Sequence, residues 1–179
     1  ECKYIKEYFE KIIININTKM KFHDVWFKYK FKNLKYLCES KYISELKSKY
    51  KNKPAIIVSA GPSLSKNIEC LKDNKNALII SGGRTLKSLL GISVMPDYVT
   101  IMDSGEISYK LVKDYMHKYN NPLIYIDTIH NDILNEHIGE KIIFTTDKNI
   151  NKLYTSEEFN INIGGSVAHI MTELAIFMG

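Results

Sequence analysis

The sequence predicts an α/β fold in which an open, mostly parallel, doubly wound sheet follows a helical N-terminal extension. Two observations support this prediction. From Pro54 onward, short apolar runs alternate with longer amphipathic runs, which is the order of strands and helices in a parallel sheet. Each apolar run is nearly continuous, which is typical of strands covered on both faces. We therefore divide the chain into an extension, residues 1–50, and a sheet domain, residues 51–179.

The extension, residues 1–50, is predicted to be helical and to contain no strand. Two stretches, KYIKEYFEKIII and NLKYLCESKYISELKSKY, place apolar residues three or four positions apart. Between them, FHDVWFKYKF holds five aromatic residues, including Trp26. Such clusters usually pack one structural unit against another, and stacking against a ligand is the alternative. The apolar stripe of the second stretch consists of Leu34, Leu37, Tyr42 and Leu46.

The sheet domain is predicted to contain five strands and five helices. Right-handed crossovers between parallel strands place the connecting helices against the sheet, and helices on both faces give a Rossmann-like arrangement. The predicted strands are AIIVS (55–59), ALIIS (77–81), YVTIM (98–102), LIYID (123–127) and KIIFT (141–145). The predicted helices cover residues 65–73, 84–90, 106–118, 130–137 and 165–178.

Composition narrows the class of protein. The 179 residues, 45% hydrophobic and 25% charged, suit one globular domain, and no apolar run reaches the roughly 20 residues that span a membrane. The net charge of +5 comes from scattered lysines, so nucleic-acid binding is not predicted. Three cysteines without a C-x-x-C pair fit free thiols in a reducing cytoplasm. Because the chain begins at Glu1 and stops after the apolar LAIFM, we expect a portion of a longer protein.

The stretch SAGPS, directly after the first predicted strand, is the first candidate binding loop. Ligands of doubly wound sheets bind at the carboxyl ends of the strands, and small residues let a ligand approach the backbone. Gly61 is free to adopt positive φ, and Ser63 or Ser65 is a candidate cap for the next helix, whose N-terminus favours a phosphate. The alternative is a tight turn that needs these residues for its geometry alone. The candidate residues are Ser59, Gly61, Pro62 and Ser63.

Two further strand ends supply candidate residues. SGGR follows the second strand, where Gly82 leaves room and Arg84 is the only arginine of the chain. The planar guanidinium group suits a phosphate or carboxylate, and an inward structural ion pair is the alternative. Asp103 follows the third strand, where its carboxylate suits a ribose hydroxyl or a metal-bound phosphate, or else the cap of a helix.

The stretch IGGSVAHIMTELAIFM supplies the last candidates. Gly164 and Gly165 leave room for close approach, and Ser166 is a candidate N-cap. The helix that follows is apolar nearly all round, so we expect it to be buried with its N-terminus at the binding edge of the sheet. His169, one turn inside this helix, is expected to be a core histidine rather than a catalytic one.

Over about residues 54–179, the chain resembles the motility accessory factor (Maf) family of flagellin glycosylation proteins. The resemblance rests on four segments taken in order: SAGPSL, SGGRTLKSLL, the PDY-to-Asp103 segment and IGGSVAHIMTELA. The central domain of that family is shared with archaeal 6-hydroxymethylpterin diphosphokinase-like proteins. The Gly-Pro-Ser-Leu turn and the Gly-Gly-Ser helix start are also similar to bacterial sialyltransferases of glycosyltransferase family 42. The resemblance implies binding of a nucleotide-sugar, such as a CMP-linked nonulosonic acid, and its transfer to flagellin or another protein acceptor.

The chain departs from these families in ways that bear on activity. The asparagine that usually precedes the glycine is Ala60 here, and the catalytic histidine and the Gly-x-Asp motif of the families would lie beyond Gly179. The resemblance therefore leaves the catalytic residues unknown and implies an inactive portion of an enzyme. The alternatives are an ATP- and magnesium-dependent diphosphokinase, in which Asp103 and Arg84 bind metal or phosphate, and a non-catalytic module that binds a nucleotide or a protein.

Overall fold

A computed structural model describes residues 2–145, 147–155 and 166–179. These residues form one sheet whose strands are all parallel, in the order β1-β6-β5-β4-β3-β2. The fold class predicted from the sequence, an open parallel α/β sheet, is confirmed. The strands are β1 (Lys41–Tyr42), β2 (Ala55–Val58), β3 (Leu78–Gly82), β4 (Tyr98–Ile101), β5 (Leu123–Ile126) and β6 (Lys141–Phe144).

Five of these strands, β2 to β6, coincide with the five predicted apolar runs. β1 was not predicted, and the prediction that residues 1–50 contain no strand is wrong. Lys41 and Tyr42 pair with Ile142 and Ile143 at the edge of the sheet, so the extension contributes directly to the sheet. A strand of two residues is too short to produce a periodic pattern, which explains the miss. The division of the chain at residue 50 stays a prediction.

The helices agree with the predictions in the sheet domain better than in the extension. α1 runs without a break through the aromatic segment, whereas α2 stops at Glu39, so the predicted stripe to Leu46 is not one helix. α7 was not predicted. The helices are α1 (Cys2–Lys32), α2 (Leu34–Glu39), α3 (Leu64–Asn67), α4 (Leu86–Gly91), α5 (Glu106–Met116), α6 (Asn131–Glu136), α7 (Lys148–Tyr154) and α8 (Val167–Met178). Short 3-10 helices cover Ile43–Leu46, Ile68–Asp73 and Gly83–Thr85.

The glycine pair at the end of β3 shows that helices cover both faces of the sheet. A Cβ atom on Gly82 would lie 3.7 Å from Val167 and 3.8 Å from Met171 of α8. A Cβ atom on Gly83 would lie 3.2 Å from Val112 of α5. Between these layers, the central strands bury β-branched and aromatic side chains completely, which is the packing that their continuous apolar runs predict.

The C-terminus of α8 is held by the segment that precedes β2. The backbone N–H groups of Ser48, Tyr50 and Asn52 donate to the carbonyl oxygens of residues 177, 178 and 179, respectively. These bonds satisfy carbonyl groups that a helix end otherwise leaves free. α8 is therefore fixed at one end, and its N-terminus lies at the carboxyl edge of the sheet. No helix among the described residues is both long enough and apolar enough to cross a membrane.

Candidate functional site

A cavity of about 400 Å³, the first cavity, lies at the carboxyl ends of β2, β3 and β4. The structure thus brings together the SAGPS loop, the SGGR loop and the start of α8, as their places after strands and before a helix predicted. Five of the candidate residues line this cavity: Ser59, Gly82, Arg84, Asp103 and Ser166.

A neighbouring side cavity of about 680 Å³ holds two more of the candidates. Gly61 and Pro62 line it, and it shares Ala60 and Arg84 with the first cavity. Ser63 is exposed at the start of α3 and does not line either cavity. The candidates Gly164 and Gly165 lie outside the described residues.

Gly61 has a different role from the one that its turn suggested. Among the described glycines only Gly179 has positive φ, so the expectation of positive φ at Gly61 is wrong. A Cβ atom at Gly61 would find nothing within 4 Å. Neither the backbone nor the packing of the described residues therefore requires a glycine here. The absence of a side chain instead leaves open space where the loop faces the side cavity.

The capping predicted for the helix after SAGPS is also wrong. Ser63 occupies the N-cap position of α3, but its hydroxyl makes no capping bond. Ser65 donates from Oγ to the Pro62 carbonyl at 3.2 Å instead. α3 has only four residues before the chain continues as a 3-10 helix, so its dipole is weak.

Arg84 is exposed in the wall between the first and side cavities. Its guanidinium group makes no hydrogen bond or ion pair with any of the described residues. An inward structural ion pair, the alternative from the sequence, is therefore excluded for the part of the chain that the structure describes. An exposed guanidinium group beside two cavities remains available to an anionic ligand.

The Asp103 carboxylate organises the start of α5. Its Oδ1 accepts from the Gly105 N–H at 2.8 Å, and its Oδ2 accepts from the Ser108 hydroxyl at 2.7 Å. The N-cap position of α5 is Gly105, so Asp103 holds the start of this helix from two residues before it and is not its N-cap. Asp103 still lines the first cavity, and a carboxylate has about four acceptor sites, so these two bonds leave capacity for a ligand.

Two helices of more than ten residues, α5 and α8, begin at the first cavity. Ser166 caps α8 as predicted, because its hydroxyl accepts from the His169 N–H at 3.3 Å. His169 itself is exposed beside Glu173, so the expectation of a core histidine is wrong. Thr100 also lines the cavity, and its buried hydroxyl has no hydrogen-bond partner among the described residues. Such an orphan hydroxyl is rare and fits a cavity that accepts a polar ligand.

A second cavity of about 710 Å³ lies between α1 and the carboxyl ends of β4, β5 and β6. Met102 lines both this cavity and the first one, so the two are neighbours along one edge of the sheet. α1 contributes one wall of it, with Lys19, His23, Trp26, Phe27 and Lys30. The sequence marked Trp26 as part of an aromatic cluster and Asp127 as a strand-end residue, but no local pattern showed that they share a cavity.

An ion network forms the polar part of this wall. Lys30 Nζ lies 2.5 Å from Asp147 Oδ2 and 3.5 Å from Asp127 Oδ2, and the Asp127 side chain is only 5% exposed. Burial raises the pKa of Asp127, although Lys30 and the Thr145 hydroxyl oppose this shift. The hydrogen bond from Lys30 lowers the pKa of Asp147. Burial disfavours the charged form of Lys30, but the two carboxylates outweigh it and raise its pKa.

Asn33 fixes the end of α1 to the turn after β5. It is 1% exposed, and its amide nitrogen donates to the carbonyl oxygens of Asp127 and Ile129, both at 2.9 Å. The Asn131 amide in turn donates to Asn33 Oδ1 at 2.9 Å. Every polar group of the Asn33 side chain is thus engaged with residues more than 90 positions away.

These features define a class: a parallel, Rossmann-like α/β domain with cavities along the carboxyl edge of its sheet. The chain matches the family model described as 6-hydroxymethylpterin diphosphokinase MptE-like over residues 28–179. It therefore belongs to that family, and the predicted resemblance to 6-hydroxymethylpterin diphosphokinase-like proteins is confirmed.

Among solved structures, the chain is similar to the Maf glycosyltransferase from Magnetospirillum magneticum AMB-1. The TM-score is 0.58 at 18% identity, over 75% of this chain and 24% of that one. At this identity the likeness supports the fold, and the chain spans about a quarter of the length of that protein. No curated protein sequence matches the chain significantly.

Proposed function

We propose that this chain is the nucleotide-binding portion of a glycosyltransferase-like enzyme, and that the first and side cavities bind the donor, a nucleotide-sugar. The observation that carries the proposal is Arg84, which is exposed between the two cavities and has no partner among the described residues. A guanidinium group in this position can form two parallel hydrogen bonds with a phosphate.

The two cavities suit the two ends of a nucleotide. The side cavity is lined largely by apolar residues, including Pro62, Leu64 and Ile92, which suit a base. The first cavity offers the N-termini of α5 and α8, whose dipoles favour negative charge, and the orphan Thr100 hydroxyl. Gly61 leaves the space in which a ligand can approach the loop after β2.

The finer assignments rest on resemblance. The similar solved structure is that of a glycosyltransferase, which favours a sugar donor. A CMP-linked nonulosonic acid as donor and flagellin as acceptor follow from the resemblance of SAGPSL and IGGSVAHIMTELA. Since the chain covers 24% of that glycosyltransferase, the proposal concerns binding by this portion and leaves turnover to the whole protein.

A second candidate is an ATP-dependent diphosphokinase, which the family description favours. Magnesium in such sites is held by one or two carboxylates together with the phosphates of the substrate. Asp103 in the wall of the first cavity fits this role, although no group of three metal-ligating side chains occurs among the described residues. Under this assignment Arg84 would contact the phosphates of ATP.

A thermal melt with ligands tests the proposal. The unfolding midpoint of the wild type, Arg84→Lys and the control Lys87→Ala is measured with CMP, with ATP, and with ATP plus magnesium. Lys87 is exposed at the start of α4, three residues after Arg84, and lines neither cavity. We expect CMP to raise the midpoint more than ATP does. Arg84→Lys should weaken binding about tenfold to a hundredfold, because a charge-assisted hydrogen bond contributes about 1.5–3 kcal/mol.

Three outcomes would argue against this proposal. A larger, magnesium-dependent shift with ATP would favour the diphosphokinase. Absence of any shift would favour a module that binds a protein partner. Equal ligand shifts in Arg84→Lys and the wild type, with a lower midpoint for the variant alone, would assign Arg84 a structural role.

A further inference from the structure

Most of α1 leaves its apolar side chains exposed. Within its 31 residues, Tyr29 is the only buried side chain among those whose exposure the structure describes. Its hydrogen bonds and ion pairs with the described residues of the sheet domain begin at Lys30. A helix in a protein gains most of its stability from the packing of one face, and an isolated helix is marginal in water. The exposed part of α1 is therefore expected to pack against a partner.

Six of the exposed side chains form one stripe along α1, which we call the α1 stripe. They are spaced alternately four and three residues apart, and each is at least half exposed: Phe9, Ile13, Ile16, Met20, His23 and Phe27. This alternation is typical of the seam of a coiled coil, which is narrower than the face of a helix that packs on a core. Tyr29, which packs on the sheet domain, lies roughly half a turn of the helix away from the stripe, so both surfaces can be covered at once.

The charges beside the α1 stripe favour pairing with a second copy of the same helix. Lys19 makes no ion pair with the described residues, and Asp24 contacts the adjacent His23. In a parallel, in-register pair, Lys19 of each helix faces the partner's Asp24, so two contacts between opposite charges form by symmetry. An antiparallel pair along the same stripe would place Lys19 against the partner's Lys19 and Glu10 against the partner's Asp24. The charges are thus complementary in the parallel arrangement and repulsive in the antiparallel one.

We propose that the chain forms a parallel dimer through the α1 stripe, with Lys19 of each copy paired with the partner's Asp24. The dimer covers the five large apolar side chains of the stripe in each copy, and their removal from water provides the driving force. His23 and Phe27 of the stripe also line the second cavity. The partner's helix therefore lies along the rim of this cavity in both copies. The inference does not depend on the proposed function.

Sedimentation equilibrium of the whole chain tests the dimer, over concentrations from about 5 to about 500 µM. A reductant keeps the exposed Cys38 and Cys70 from forming disulfides. The matched variants are Ile13→Lys and Ile14→Lys, because these neighbours are 55% and 62% exposed and only Ile13 belongs to the α1 stripe. We expect a monomer–dimer equilibrium for the wild type. Ile13→Lys should weaken it at least about tenfold, because each copy places a charge in the apolar seam, and Ile14→Lys should leave it unchanged.

A charge reversal tests the parallel arrangement. Lys19→Glu should weaken the dimer about threefold to thirtyfold, because both symmetric contacts become repulsive, and adding Asp24→Lys should recover most of that loss. A wild type that stays monomeric at every concentration would overturn the inference. Equal dissociation constants for Ile13→Lys and Ile14→Lys, or no recovery in the double variant, would also overturn it. These measurements contain no nucleotide, so a failure of the proposed function is recorded separately.

Discussion

The first and second cavities lie side by side but are built in opposite ways. The first is assembled from loops that follow consecutive strands, and small residues and backbone form much of its wall. The second is closed by α1, whose Lys30 contacts Asp147 across 117 positions of the chain. The space of the first cavity therefore exists because its wall has few large side chains, whereas the wall of the second cavity is held in place by specific long-range polar contacts.

This difference separates function from stability in one cavity and joins them in the other. Arg84 and Gly61 make no contact that the described fold requires, so both are free to serve a ligand. Lys30 and Asp127 line the second cavity and also tie α1 to the sheet. Substitution of Arg84 or Gly61 should therefore change binding alone, whereas substitution of Lys30 or Asp127 should also change stability.

The largest effect is expected for Asn33→Ala, which removes the bond between α1 and the turn after β5. The carbonyl groups of Asp127 and Ile129 would lose their partner in a buried place, which costs about 2–4 kcal/mol in total. Urea unfolding measures the loss. The exposed Asn76→Ala is the control. An unfolding free energy equal to that of the control would show that α1 is not fixed in this way.

A smaller loss is expected for Gly83→Ala, a change at the glycine that faces α5. The new Cβ atom would lie 2.9 Å from Ile101 and 3.2 Å from Val112, so neighbouring side chains must shift. Overpacking of this kind costs about 1–3 kcal/mol. Gly82→Ala, with ordinary contacts of 3.7 and 3.8 Å, serves as the matched control in the same denaturation experiment. Equal stability of the two variants would contradict the packing argument.

The pH dependence of stability compares two buried groups: His137 near the amino edge of the sheet and Asp127 in the second cavity. His137 is 2% exposed, and burial lowers its pKa to about 4 from about 6.5. The unfolded chain therefore binds a proton that the folded chain excludes. The unfolding free energy should fall by about 1 kcal/mol per pH unit as the pH drops from 6.5 toward 4.

Asp127 acts in the opposite direction, because burial raises its pKa in the folded chain and acid then favours folding. In His137→Asn the fall in stability between pH 6.5 and 4 should disappear, and the opposing effect of Asp127 should become visible. His117→Asn, at an exposed position, should retain the wild-type slope. An unchanged slope in His137→Asn would assign the acid sensitivity to other groups.

The smallest effect on stability is expected for Gly61→Ala, because the added methyl group meets no described atom within 4 Å. The unfolding free energy should change by no more than about 0.5 kcal/mol. The affinity for the nucleotide that binds the wild type should nevertheless fall, since the methyl group occupies space proposed for the ligand. Calorimetric titration checks this, and unchanged affinity would place the ligand away from the loop after β2.

The same contrast explains how far the sequence predicts this molecule. The strands β2 to β6 and the first cavity follow from local patterns, because each continuous apolar run ends in small or polar residues at one edge of the sheet. Sequence patterns did not predict the second cavity, since no spacing relates Lys30 to Asp147 or Asn33 to Ile129. Gly61 also shows a limit, because a glycine kept for a ligand and one kept for a turn look alike in a sequence.

The pairing of β1 with β6 has a consequence for the order in which the molecule folds. Lys41 pairs with Ile142, and β2 to β5 intervene along the chain. Closing so long a loop costs more chain entropy than joining successive strands, so β1 should join the sheet after β2 to β6 have paired. An edge strand of two residues should also detach first in local opening. The second cavity is closed by α1, which belongs to the same N-terminal extension as β1. We therefore expect the first cavity to form early in folding, and the second to be completed last and to open first.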